Sequence, residues 1–141
     1  MVHYRWAILQ ADSVLENFRE RHGDYPKMFE DMINEGIASY KPKLRASLQT
    51  FDVRFELPEL SDCDGYLVTG SRHSVYEDFD WIVALAEFLK RAFEAQKKIV
   101  GICFGHQLLA HFFGGRVGPC PSGWAVGCLL YTSDAADEWL R

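Results

Sequence analysis

The chain has 141 residues, of which 48% are hydrophobic and 25% charged. That suits one folded domain of about 100–200 residues and excludes a disordered chain, which would be poorer in apolar residues. Fifteen basic against twenty acidic residues give a net charge of -5, so nothing favours binding to nucleic-acid phosphates. No apolar run approaches the roughly 20 residues of a membrane span, and the N-terminus lacks a signal-peptide layout. Cys63, Cys103, Cys120 and Cys128 have no CxxC spacing, which indicates neither a zinc site nor a disulfide scaffold. A cytoplasmic protein with reduced thiols, no metal and no cofactor is expected.

In chain order, Tyr4–Gln10 reads as a buried parallel strand. Asp24 is a candidate N-cap and Pro26 suits a first helical turn. Met28, Phe29, Met32 and Ile33 recur at helical spacing, with Gly36 as the expected stop. Phe51–Phe55 alternates as a strand does, and Pro58 ends it. Gly65–Ser71 is a short apolar run closing in turn residues: a strand, then a loop. From Asp78 to Gln96 the residues Ile82, Leu85, Ala86, Leu89 and Phe93 fall on one helical face. Lys97 and Lys98 follow, where positive charge favours a helix C-terminus. Ile99–Ile102 reads as a strand running into Cys103, and a helix then continues to about Phe113, stopped by Gly114 and Gly115. Alternating strands and helices predict a three-layer α/β domain with a mostly parallel sheet flanked by helices.

The densest chemistry lies in Val100–Gln107. Cys103 stands between Gly101 and Gly105 where a strand becomes a helix, the thiol form of a nucleophile elbow. A tight turn needs small neighbours on both sides. The helix start favours negative charge on the sulfur. The N–H of Phe104 is then placed for an oxyanion on an attacked carbonyl. The alternative is a small buried hydrophobe, which many cysteines are. Thr69, Gly70 and Ser71 end the preceding strand and should open at the same C-terminal sheet edge, where such folds place their sites. An ordinary strand-to-helix turn would also explain them. Cys63, in a polar loop, and Cys120, between prolines, have no activating context.

Gly101–Gln107, with Leu108-Leu109-Ala110 and Gly114–Val117, closely resembles the nucleophile region of class I glutamine amidotransferase domains. Gly65–Ser71 resembles the oxyanion strand of that family. Ile8–Asp12, Arg21–Tyr25 and Ser122–Gly127 resemble its stand-alone branch, of GMP-synthase-like and γ-glutamyl peptidase-like members. The resemblance spans about residues 4–127. It implies a flavodoxin-like class I amidotransferase fold and cleavage of the γ-amide of glutamine, or of a related γ-glutamyl bond, through a cysteine thioester. Cys103 would be the nucleophile. Phe104 and Gly70 would supply oxyanion N–H groups, and Gln107, Gly70 and Ser71 would hold the substrate. His106 and His111 tempt as bases, but the family does not use the residue at His106; packing or solvent exposure is the plainer reading for both. Arg72, His73 and Tyr76 would shape the pocket or simply lie in an exposed loop.

The resemblance also implies a His and a Glu two residues later, well downstream of the nucleophile, and no histidine follows His111. Residues 1–127 are therefore expected to be the N-terminal portion of the domain, and 128–141 a non-native tail resembling a translated sequencing adapter. Such a fragment is expected to be inactive and poorly soluble, with a sheet edge uncovered. The partner is a small molecule, glutamine or a γ-glutamyl compound, and a synthase if the chemistry is ammonia supply. The remaining alternative is a non-catalytic α/β binding module that retains the elbow.

Overall fold

A computed structural model of the chain describes residues 2–41, 43–121 and 123. The elements are β1 (Val2–Gln10), α1 (Glu16–His22), α2 (Tyr25–Tyr40), β2 (Leu44–Asp52), β3 (Gly65–Val68), α3 (Asp80–Glu94), β4 (Lys98–Gly101) and α4 (Phe104–Phe112). Every strand pair is parallel, and the sheet order is β2-β1-β3-β4. The expected α/β architecture with a parallel sheet is present.

Topology decides which helix covers which face. The β1-to-β2 connection steps to one side of β1, and the β3-to-β4 connection steps to the other. Right-handed crossovers in opposite directions put α2 and α3 on opposite faces. Burial agrees with this. Ala7, Leu9, Tyr66 and Val68 share a core with Ile82, Leu85, Leu89, Phe104 and Leu108. Ile8 and Leu67, which alternate with them along the strands, are also buried and so belong to the other face. Tyr66 meets Phe88 edge-on at a 5.0 Å centroid distance, locking α3 to the sheet. The strand order reverses between β1 and β3, so the crevice beyond their C-terminal ends is where this kind of sheet forms a site.

Five details differ from expectation. The helix α1 had no sequence signal, because none of its residues is buried and no apolar stripe forms. Asp24 does cap α2, accepting from the Tyr25 N–H, but Gly36 does not stop it. The helix runs to Tyr40 and ends at Lys41, which has φ -142 because the following Pro42 disfavours a helical residue before it. The inward residues of α2 are Phe29, Ile33 and Ile37, whereas Met28 and Met32 are exposed.

The second strand spans Leu44–Asp52, not Phe51–Phe55. Phe55 is 84% exposed, and the chain turns at Asp52, whose carbonyl accepts from the N–H groups of Phe55 and Glu56. On α3, Phe93 leaves the predicted core face: it is 63% exposed and meets Phe113 edge-on, while Ala92 takes the buried position. The stop after α4 holds, with Gly114 at φ 101 and the Gly115 N–H bonded to the Ala110 carbonyl. The expected tail at 128–141 and the Ser122–Gly127 motif, apart from Gly123, lie outside the described residues.

Candidate active site

Both strands that carry the expected chemistry end at the same sheet edge. β3 pairs with β4 in the register Val68 to Gly101, and the Ile102 N–H extends the ladder onto the Val68 carbonyl at 3.0 Å. The chain then has one residue in which to change from strand to helix, and that residue is Cys103. It adopts φ 52 and ψ -102, a left-handed region that a side chain occupies only under strain. The Gly105 N–H closes the turn onto the Ile102 carbonyl at 2.9 Å, and the Gln107 N–H opens the helical ladder on the Cys103 carbonyl at 3.0 Å.

The flanking glycines are set by space. A Cβ on Gly101 would sit 2.5 Å from the backbone of Gly105, and one on Gly105 would sit 2.6 Å from the Val68 carbonyl oxygen. Neither neighbour can move without opening the turn. The elbow anticipated from the glycine-cysteine spacing is therefore the folded geometry, and its thiol is exposed at the sheet edge. By contrast, Cys63 is buried, and burial pushes its thiol above the ordinary value.

Gly70 is brought against the elbow: a Cβ on it would lie 3.6 Å from the Cys103 Cβ. Phe104 is the first residue of α4, so its N–H has no partner within the helix. Its ring is buried and tilts against Trp81 at 5.6 Å, in a cluster with His73 and Phe79. Gln107 lies one turn further along α4 with an exposed side chain. The Ser71 hydroxyl is used locally, accepting from the His73 N–H at 3.1 Å. His73 lies 3.2 Å from Glu77, whose carboxylate the Ser74 N–H and then His73 hold below its usual range. His106 is exposed on α4, and His111 meets the Phe112 ring edge-on. Tyr76 is exposed in the loop after β3.

Sequence reasoning missed the polar network beside this edge. Asp12, only 1% exposed, lies two residues past the end of β1. Its carboxylate accepts from the Arg72 N–H and Nε at 2.9 Å each, from Arg72 Nη2 at 3.0 Å and from the Ser13 N–H at 2.8 Å. Arg54, which also clamps Asp52, stands 3.5 Å away. Burial opposes the Asp12 charge, but the Arg72 and Ser13 hydrogen bonds outweigh it and hold the carboxyl well below the usual carboxylate range. Asp24 organises the next loop, accepting from the N–H groups of Val14 and Tyr25. Burial and then the Asp12 charge raise the Tyr25 hydroxyl above its usual value, and charge on Cys103 acts in the same direction. The available signal was an acidic residue two positions after a buried strand, which by itself does not mark the carboxylate as buried.

Among the described residues, no three His, Cys, Asp or Glu side chains group so as to hold a metal ion, and no helix is long and apolar enough to cross a membrane. A hollow lined by Val2, Tyr4, Tyr40, Lys41, Lys43 and Leu44 lies at the opposite, N-terminal end of β1 from this edge.

Comparison with known proteins agrees with the geometry. Gamma-glutamyl peptidase 3 of Arabidopsis thaliana is 30% identical over 138 residues, covering 97% of this chain and 53% of that protein. Gamma-glutamyl peptidase 5 of the same plant is 39% identical over 124 residues, covering 87% of this chain and 47% of that protein. The chain thus spans about half the length of the curated relatives it matches. A glutamine amidotransferase from Methylobacillus flagellatus has the same fold, with a TM-score of 0.56 at 23% identity over 86% of this chain and 42% of its own. The family model for glutamine amidotransferase class-I matches residues 28–133, which include both β3 and the elbow and reach past residue 127. The chain belongs to the class-I glutamine amidotransferase family.

Proposed function

We propose that the complete protein containing this chain hydrolyses a γ-glutamyl bond through a thioester on Cys103. The observation that carries the reading is the exposed Cys103 at φ 52 on the N-terminal end of α4, with Gly70 against it. In this reaction the thiolate attacks the γ-carbonyl carbon, and negative charge develops on the carbonyl oxygen. The N–H groups of Phe104 and Gly70 stabilise that oxyanion. As it collapses, the C–N bond breaks and the amine leaves with a proton. Water then attacks the thioester, releasing glutamate and restoring the thiol. Gln107 and Ser71 line the substrate side.

Proton transfers need a base held by a third group. In this reading they come from a His and a Glu two residues later, outside residues 1–127, which supply the nucleophile and oxyanion half. The chain alone then has no turnover. A free nucleophilic thiol suits a reducing, cytoplasmic compartment. Of the two chemistries open to the family, stand-alone cleavage of γ-glutamyl peptides or conjugates is favoured over ammonia supply to a synthase. The names of the curated relatives support that choice.

The test is hydrolysis by the complete gene product of glutamine, of γ-glutamyl dipeptides and of glutamine with ammonia-acceptor substrates. The expected result is Cys103-dependent release of glutamate, fastest from γ-glutamyl dipeptides. Equal turnover by a Cys103→Ala variant would refute the assignment.

A further inference from the structure

We infer that Asp12 is a positioning residue that holds the oxyanion turn after β3 in place, using Arg72 as its grip. This deepens the reading that Cys103 is the nucleophile and rests on it. The turn is anchored on both sides of Gly70. On one side, the buried Thr69 hydroxyl accepts from the Ala11 N–H and donates to the Gly70 carbonyl, each at 3.0 Å. On the other side, Arg72 gives Asp12 its backbone N–H and two guanidinium nitrogens. Residues 11 and 12 at the end of β1 therefore hold 69 and 72. Gly70 lies between these anchors, facing Cys103.

The chemistry of Asp12 fits the task. A carboxylate is acceptor-only, and every group that meets it here is a donor: Arg72 three times, the Ser13 N–H, and Arg54 Nη1 at 3.5 Å. An amide of the same shape would turn an NH2 group toward one of these donors. The link also crosses the topological switch between the paired strands β1 and β3, where the connections that leave them run to opposite sides of the sheet. The Arg72 side chain is 61% exposed, so its removal leaves the hydrophobic core intact.

Misplacing an oxyanion donor by about 1 Å costs on the order of 100-fold in rate. The experiment compares Asp12→Asn, Arg72→Ala and the double variant with the unsubstituted complete gene product, using a γ-glutamyl anilide as substrate. A parallel measurement follows alkylation of Cys103 by iodoacetamide, which attacks without forming an oxyanion. The expected result is a kcat about 10- to 100-fold lower in each single variant, with KM within about threefold. The double variant should be no worse than the poorer single one, because both substitutions remove the same link. Alkylation should stay within about twofold, separating misplacement of Gly70 from general unfolding of the elbow. An unchanged kcat in both single variants overturns the positioning role. A loss confined to KM also overturns it, since Arg72 would then bind substrate directly. Turnover persisting in Cys103→Ala, or absent from the unsubstituted protein, overturns the nucleophile assignment instead.

Discussion

Cys103 is a residue at which this fold stores strain, and replacing it by glycine or by alanine separates strain from side-chain loss. At φ 52 and ψ -102 the backbone lies where a non-glycine residue costs about 1–3 kcal/mol. Cys103→Gly releases that cost, less the roughly 0.4–1 kcal/mol by which glycine favours the unfolded chain. Cys103→Ala keeps a Cβ and therefore keeps the strain. The thiol is exposed, so neither change leaves an internal cavity. The glycine variant should exceed the alanine variant in stability by about 0.5–2 kcal/mol. That is the reverse of ordinary helix and strand positions, where glycine is worse by roughly 0.5–1 kcal/mol. Urea midpoints at constant m-value measure the difference. An alanine variant as stable as the glycine variant, or more so, would refute the strained elbow.

Substituting alanine for Gly101 or Gly105 should destabilise by about 1–3 kcal/mol each, because the added Cβ meets backbone atoms at 2.5 or 2.6 Å; thermal melts overlying the unsubstituted protein would contradict this. Tyr66→Phe removes a hydrogen bond of 3.1 Å to the Leu60 carbonyl and should cost about 0.5–1.5 kcal/mol near neutral pH. Burial pushes the Tyr66 hydroxyl up to about 12, so its contribution is complete below the unfolded value near 10 and disappears as pH rises toward 12. The alkaline decline in stability should be flatter in Tyr66→Phe. Asp12 has the opposite sign. Its folded pKa is depressed, so its contribution is present above about pH 4 and lost as pH falls. Asp12→Asn should flatten the acid decline, and an unchanged acid slope in denaturant titrations would count against the clamp.

The legible parts of the sequence were those encoded by short spacing. The glycine-cysteine-glycine pattern needs only five residues, and the turn it implies is the turn that forms. The face of α3 was read from period alone, and only Phe93, near its end, escaped to meet Phe113. The apolar runs in Gly65–Ser71 and Ile99–Ile102 were equally plain, and the strands form at Gly65–Val68 and Lys98–Gly101. The shift in β2 came from weighting Phe51, Val53 and Phe55, though Leu44, Ala46 and Leu48 alternate as well. The Asp12–Arg72 link was out of reach because its partners lie 60 residues apart, and nothing local marks a carboxylate as buried. The helix α1 was missed for a related reason: a helix that buries no residue leaves no stripe.

The most direct test is to treat the complete gene product with a glutamine analogue whose γ-amide is replaced by a chloroketone, then locate the adduct by peptide mass. Covalent capture at Cys103, with Cys63 and Cys120 unmodified and protection by a γ-glutamyl dipeptide, is the predicted result. Labelling that persists at the same rate and extent in Cys103→Ala would contradict the account.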